Sequence, residues 1–207
     1  MRIISGEFRS RRLSFPKSKQ TRPMMDRAKE TIFNILGETL KGVRVLDLFA
    51  GSGSLGLEAL SRGAAWVTFV ERGAGAQKSI WANLQKLGLE EKAILIRKDV
   101  IQAIKNLDRK GETFGLIFLD PPYNQGVVEK ILIRLDQSDI VAPFTRLVVH
   151  RSRQEQLPET FEKIRVLREK RIGQACLSFL SGGNSSWDRV VRERGNDEPF
   201  IRVLLTP

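Results

Sequence analysis

The stretch VLDLFAGSGSLGLEAL, residues 45–60, starts as a compact apolar strand, runs through three glycines and goes on with helical spacing. Within it, GSGSLG is a literal G-x-G-x-x-G carried by Gly51, Gly53 and Gly56. After a strand and before a helix, the pattern marks a turn where backbone comes close to a ligand. Glycines remove the side chains that would hold the ligand off. The free N–H groups at a helix start suit an anionic or polar group. By its letters alone the stretch reads as a dinucleotide fingerprint, so its surroundings have to name the ligand.

Working outward, strands and helices alternate. Strands are expected at 43–48, 66–71, 93–97, 114–120 and 146–150, with helices at 55–62, 74–87, 100–107 and 127–135 between them. Strands that are apolar throughout indicate a parallel sheet covered on both faces. FEKIRVLREKRIGQACLSFL breaks the rule: RIG leaves no room for a crossover helix, so two strands there form a closing, at least partly antiparallel pair at the sheet edge. Upstream, a helix is expected from Asp26, with Ile32, Phe33, Leu36 and Leu40 on one face and Asp26 or Thr21 as its cap. RIISGEF and RRLSF read as short strand pieces, and 16–25 as loop. The polar, glycine-rich end GGNSSWDRVVRERGNDEPF reads as a tail.

Ligands of an open parallel sheet bind beyond the carboxyl ends of its strands. Glu71 ends the second strand, where a carboxylate can accept both hydroxyl protons of an adenosine ribose. That serves NAD and S-adenosylmethionine equally. Asp47, with Leu48, Phe49 and Ala50 before the first glycine, separates them. A carboxylate there suits the ammonium and sulfonium of S-adenosylmethionine and repels a pyrophosphate; its bland alternative is a cap for the loop or the next helix. The fourth strand ends FLDPPYN. Pro121 and Pro122 set φ and donate no backbone hydrogen, leaving the Asp120 carboxylate and the Pro121 carbonyl as rigid acceptors beside Tyr123. Such a site recognises an N–H₂ group, with Tyr123 stacking on the ring that carries it.

The chain holds 35 Lys and Arg against 24 Asp and Glu, a net charge of +11 in 207 residues. A polyanionic partner, nucleic acid first, follows from that balance. Residues 1–30 carry nine Lys and Arg and three acids, so an RNA-phosphate contact is assigned to Arg2, Arg9, Arg11, Arg12, Lys17 and Lys19. One cysteine, Cys176, cannot close an intramolecular disulfide, and MRIISGEFRSRR has no apolar signal core. A cytoplasmic protein without a membrane span is expected. One Cys and one His argue against a metal site.

VLDLFAGSGSLGLEAL with FLDPPY resembles the class I S-adenosylmethionine-dependent methyltransferases that modify exocyclic amines. RIISGEFRSRRL, TRPMMDRAKETIFNIL, the glycine loop and DPPY occur in the order found in the bacterial 16S rRNA guanine-N2 methyltransferase family. The likeness covers roughly residues 2–180. It implies a Rossmann-like, mostly parallel seven-stranded sheet with helices on both faces, an antiparallel edge strand and a small β-rich N-terminal extension. It implies S-adenosylmethionine as cofactor and Asp120, Pro121, Pro122 and Tyr123 as the catalytic motif. Gly51 and Gly53 would approach the methionine part of the cofactor, with Asp47 near its amino group. Glu71 would take the ribose and Asp99 the adenine amine, with Val100 beside the ring and Phe49, Arg72 and Asp120 also at the cofactor. Arg22 and Asp26 would line the methionine end; Arg22 is offered either to the cofactor carboxylate or to an RNA phosphate.

Three parts are expected: a basic extension at 1–25, the methyltransferase domain at 26–181 and a tail at 182–207. The partner is ribosomal RNA, within a small-subunit assembly particle, and the protein a monomer. Two rival activities are an amine methyltransferase acting on DNA adenine and an NAD-binding oxidoreductase. His150 and Arg151 depart from the family, whose fifth strand ends in an acid-containing stretch. The basic pair is read as surface or as an RNA contact.

Overall fold

A computed structural model describes residues 1–15, 26–37, 40–123 and 125–183. Helix α1 (Asp26–Leu36) precedes the alternating part. There β1 (Arg44–Leu48), α2 (Ser54–Ser61), β2 (Trp66–Val70), α3 (Ala74–Leu87), β3 (Ala93–Ile96), α4 (Val100–Arg109), β4 (Leu116–Leu119), α5 (Val127–Asp136) and β5 (Arg146–Ser152) follow one another. Strands β6 (Ile164–Ile172) and β7 (Ala175–Gly182) close the sheet. Each strand and helix expected in the alternating part is present, with ends moved by at most a few residues.

The sheet order is β3-β2-β1-β4-β5-β7-β6. β1, β2, β3, β4 and β5 pair in parallel; β7 is antiparallel to both β5 and β6. The closing pair is thus at the edge, as expected, but the outermost strand β6 runs with the parallel set and the reversed strand lies inside it. Two tight residues, Gly173 (φ 58) and Gln174, turn β6 into β7, so the second arm of the hairpin takes the slot beside β5.

Burial explains the strand composition. β1, β2 and β4 are buried at nearly every position, and β7 at all of them. The edge strands β3 and β6 alternate with exposed positions. Successive strand residues feed two cores. Val45, Phe69, Leu116, Phe118 and Val148 meet α1, α2 and α3 on one face; Leu46, Leu48, Ile117, Leu119 and Val149 meet α4 and α5 on the other. Phe33 of α1 packs its ring against Phe118 at 5.7 Å.

The N-terminal pieces form a minimal ribbon with a single bridge, Arg2 to Arg12. Ile3 donates to the Arg11 carbonyl and Ser10 to that of Ile3, with Ser10 at φ 68 in the turn. Ile3 and Leu13 are buried in the same core as α1 and α2, so residues 1–15 belong to the body of the domain. Gly6 (φ 84) lies so close to the end of α2 that a Cβ there would stand 1.9 Å from the Ser61 carbonyl oxygen. Among the described residues, no helix is long and apolar enough to cross a membrane.

Candidate active site

Strand order reverses between β1 and β4, the switch point beyond whose strand ends an open parallel sheet holds its ligands. Register puts Leu48 beside Leu119. The chains leaving the two strands are therefore the glycine loop and the Asp120-Pro121-Pro122-Tyr123 turn. Both stretches singled out by their residues converge on one place in the fold.

The glycines divide into two kinds. Gly56, inside α2, lies against Phe69, and a Cβ there would be 2.3 Å from its ring; this glycine lets the helix touch the sheet. Gly51 sits at φ 57, and the nearest atom to a Cβ added there would be the Phe49 carbonyl oxygen, 4.0 Å away. Its φ bends the chain, and a Cβ there would meet no packed neighbour. Phe49 also has positive φ, 60, rare for a side chain of that size. Such a conformation costs on the order of 1–3 kcal/mol and concentrates at ligand loops.

Asp47 is 1 % exposed, and its Oδ2 accepts the Gly56 N–H at 3.0 Å. Burial pushes its carboxyl up to about 8, opposed by the Gly56 bond and reinforced by the negative charges of Asp120 and Glu71. The helix-capping alternative for Asp47 is thus realised. It does not spend the group: among the described residues no cation pairs with the carboxyl. Glu71 bridges two loops, its Oε2 accepting from Gly51 N at 2.9 Å and its Oε1 from Gly73 N at 2.6 Å. Each of its oxygens keeps a further lone pair for a hydroxyl.

Asp99 caps α4 through the Ile101 N–H, 2.9 Å, and is otherwise exposed. Val100 behind it is buried, Arg72 is exposed, and Asp26 is exposed at the start of α1. Thr21, Arg22, Lys17 and Lys19, like the tail from 184 onward, lie outside the described residues. Arg2, Arg9, Arg11 and Arg12 are all exposed. Pro121 is buried, Pro122 exposed and Tyr123 half-buried.

The surface reading of His150 and Arg151 is corrected by the structure: both are buried. Arg151 pairs with Glu169 and donates to Ser178 Oγ at 3.2 Å, an internal clamp between β5, β6 and β7. His150 stands directly across from Asp120, one step beyond the Leu119–Val149 pair of β4 and β5. Its Nδ1 is 2.7 Å from Asp120 Oδ1 and its Nε2 is 2.9 Å from the Tyr123 hydroxyl. The Tyr123 ring meets the imidazole edge-on, with centroids 5.5 Å apart. The sequence signal for this is a lone histidine ending the strand that neighbours the DPPY strand.

Three further residues escape the sequence reading. Glu58 of α2, fully buried, accepts from Ile4 N at 2.7 Å, Ser5 N at 3.0 Å and Arg62 Nε at 3.0 Å, and lies 3.5 Å from Lys29 Nζ. Lys29, also buried, donates to the Arg2 carbonyl at 2.6 Å; desolvation holds its pKa below the ordinary lysine value, against the pull of Glu58. Asn83 of α3 accepts from Ser14 N and donates to the Ser14 and Ser52 carbonyls. It ties the N-terminal segment to the glycine loop itself.

The family model described as "Conserved hypothetical protein 95" matches residues 1–181. The chain is 36% identical over 176 residues to the Escherichia coli K12 protein named "Ribosomal RNA small subunit methyltransferase D", spanning 85% of this chain and 87% of that one. The Haemophilus influenzae protein of the same name is 36% identical over 174 residues, 84% and 89% of the two chains. Among solved structures, Escherichia coli yhhF superposes with a TM-score of 0.76 at 30% identity, over 89% of this chain and 99% of that one. Strand order, glycine loop, neighbouring carboxylates at the strand ends and these likenesses agree: the chain belongs to the conserved hypothetical protein 95 family, that of the ribosomal RNA small subunit methyltransferase D proteins.

Proposed function

We propose that this protein is an S-adenosylmethionine-dependent methyltransferase whose target is the exocyclic amino group, N2, of a guanine in small-subunit ribosomal RNA. The observation that carries the reading is the cluster of carboxylates at the strand ends. Asp47, Glu71 and Asp120 end or follow β1, β2 and β4, close enough that the latter two raise the pKa of the first. Beside Gly51, that arrangement favours a ligand with positive charge and hydroxyls. It disfavours a dinucleotide pyrophosphate, so an NAD-dependent oxidoreductase fits poorly.

The residues present suit the cofactor. Asp47 would face its ammonium, Glu71 its ribose and Asp99 its adenine amine, with Phe49, Gly51, Gly53, Arg72 and Val100 around it. When bound, S-adenosylmethionine supplies an activated methyl on a sulfonium. The protein's part is alignment, worth on the order of several kcal/mol for a reaction of two substrates. Asp120 and the Pro121 carbonyl would each accept a hydrogen bond from the amine, which turns the nitrogen lone pair toward the methyl. Pro121 and Pro122 keep these acceptors rigid, and Tyr123 borders the base. Asp120 receives the proton that the methylated amine gives up.

Substrate choice rests on the family and on charge. Arg2, Arg9, Arg11 and Arg12 are exposed on a segment fastened to the same body as the candidate site. Residues 1–25, with Lys17 and Lys19, are read as the RNA contact, their described part docked on the catalytic body, and the residues after β7 as an added tail. The enzyme is taken to act as a monomer, in the cytoplasm, on an assembling small subunit.

The test is transfer of labelled methyl to small-subunit ribosomal RNA, free and in particles, followed by nucleoside identification. N2-methylguanosine is expected, with methyladenosine or no product sinking the reading. Asp120→Ala should lower turnover about 100- to 1000-fold, as loss of a preorganised polar group does, with S-adenosylhomocysteine affinity nearly intact. Near-normal turnover would remove Asp120 from the site.

A further inference from the structure

We propose that His150 is a positioning residue that locks the two polar ends of the DPPY turn, Asp120 and Tyr123, into one geometry. The inference rests on the amine-methyltransferase reading above. The imidazole is nearly buried, its side chain 10 % exposed, and it reaches both groups from the neighbouring strand. An ionised carboxylate only accepts, so Nδ1 carries the hydrogen toward Asp120 Oδ1. In the neutral ring Nε2 is then an acceptor, and the Tyr123 hydroxyl donates to it.

Two consequences follow. First, Asp120 has one oxygen engaged and the carboxylate plane set, so Oδ2 is the oxygen left to meet the substrate amine. Second, Tyr123 is held by its hydroxyl, so its ring turns little about its own side-chain bonds. Prolines stiffen the backbone of the DPPY turn, and His150 adds a side-chain contact at each end of it. The register of β4 and β5 supplies that contact, because the residue opposite Asp120 is a histidine.

Three variants of the full chain test it: His150→Asn, whose amide can replace Nδ1; His150→Gln, whose amide reaches the place of Nε2; and His150→Ala. Methyl transfer to small ribosomal subunits is measured as kcat and KM, beside S-adenosylhomocysteine affinity by calorimetry and thermal unfolding. His150→Ala and His150→Gln should lower kcat about 100-fold, the cost of a misplacement near 1 Å. Cofactor affinity and KM should stay near wild type. His150→Asn, which keeps the bond to Asp120, should restore most of kcat. Equal losses in all three variants that follow their loss of thermal stability would show a merely structural histidine and overturn the proposal. So would unchanged kcat in His150→Ala. Wild-type protein that binds S-adenosylhomocysteine but methylates no ribosomal RNA would instead overturn the function on which the inference rests.

Discussion

Two carboxylates buried against α2 are held in opposite ways. Glu58 takes two backbone N–H groups, the Arg62 guanidinium and the nearby Lys29 ammonium. Asp47 takes one N–H, from Gly56, and has two other carboxylates for neighbours. Among the described residues Glu58 meets two cations, whereas Asp47 meets a backbone N–H and like charges. Burial by itself therefore says little about function. What separates a structural charge from a site is whether the fold has already supplied its partners.

The largest effect that could break this contrast is on the Glu58 side. Glu58→Gln leaves Lys29 buried without its counter-charge and should cost about 3–5 kcal/mol in urea unfolding. The folded fraction should still bind S-adenosylhomocysteine. A variant as stable as wild type would mean that the cluster does not fasten residues 1–15.

Asp47 should behave in the reverse sense. Its folded pKa, about 8, lies above the ordinary carboxyl value of 3.8, so its contribution to stability is full below about 4. It falls as pH rises through that interval and is lost above about 8. Asp47→Asn keeps an acceptor for Gly56 and removes the ionisation. It should unfold at least about 3 °C higher than wild type at pH 8, a shift worth ~1 kcal/mol in a domain of this size. The gain should shrink toward pH 5, while cofactor affinity drops. A pH-independent difference between the two proteins would refute a protonated Asp47.

The smallest effect concerns the outer face of the segment that Glu58 anchors. Neutralising Arg9, Arg11 and Arg12 together should leave stability alone and weaken RNA binding. The slope of log affinity against log salt should become shallower by up to about 3, near one for each phosphate no longer neutralised. An unaltered slope would take the segment out of RNA recognition.

Much of the site is legible in one dimension. Asp47, Glu71, Asp99 and Asp120 stand out because each ends a strand or follows one, and strand ends of a parallel sheet share an edge. The glycine loop is legible for the same reason, although its letters point first to a dinucleotide. His150 and Arg151 read as surface because a polar residue at a strand end looks solvated until its neighbours are known. Glu58 sits in a helix with an ordinary-looking polar side. Its burial comes from N-terminal residues, Ile4 and Ser5 among them, more than fifty positions away in the chain and folded over that side.

By itself, the sequence determined the alternation of strands and helices, the strand edge that carries the candidate site and the stiff backbone of the DPPY turn. Periodicity and local backbone restriction act over a few residues, and those features need no more. The tertiary structure alone decided which strand adjoins which, and so that His150 meets Asp120 and Tyr123, that Glu58 is satisfied and that Asp47 has Asp120 and Glu71 for neighbours. These are meetings of distant segments, set by sheet register and by the docking of the N-terminal residues, and no short stretch of sequence contains them.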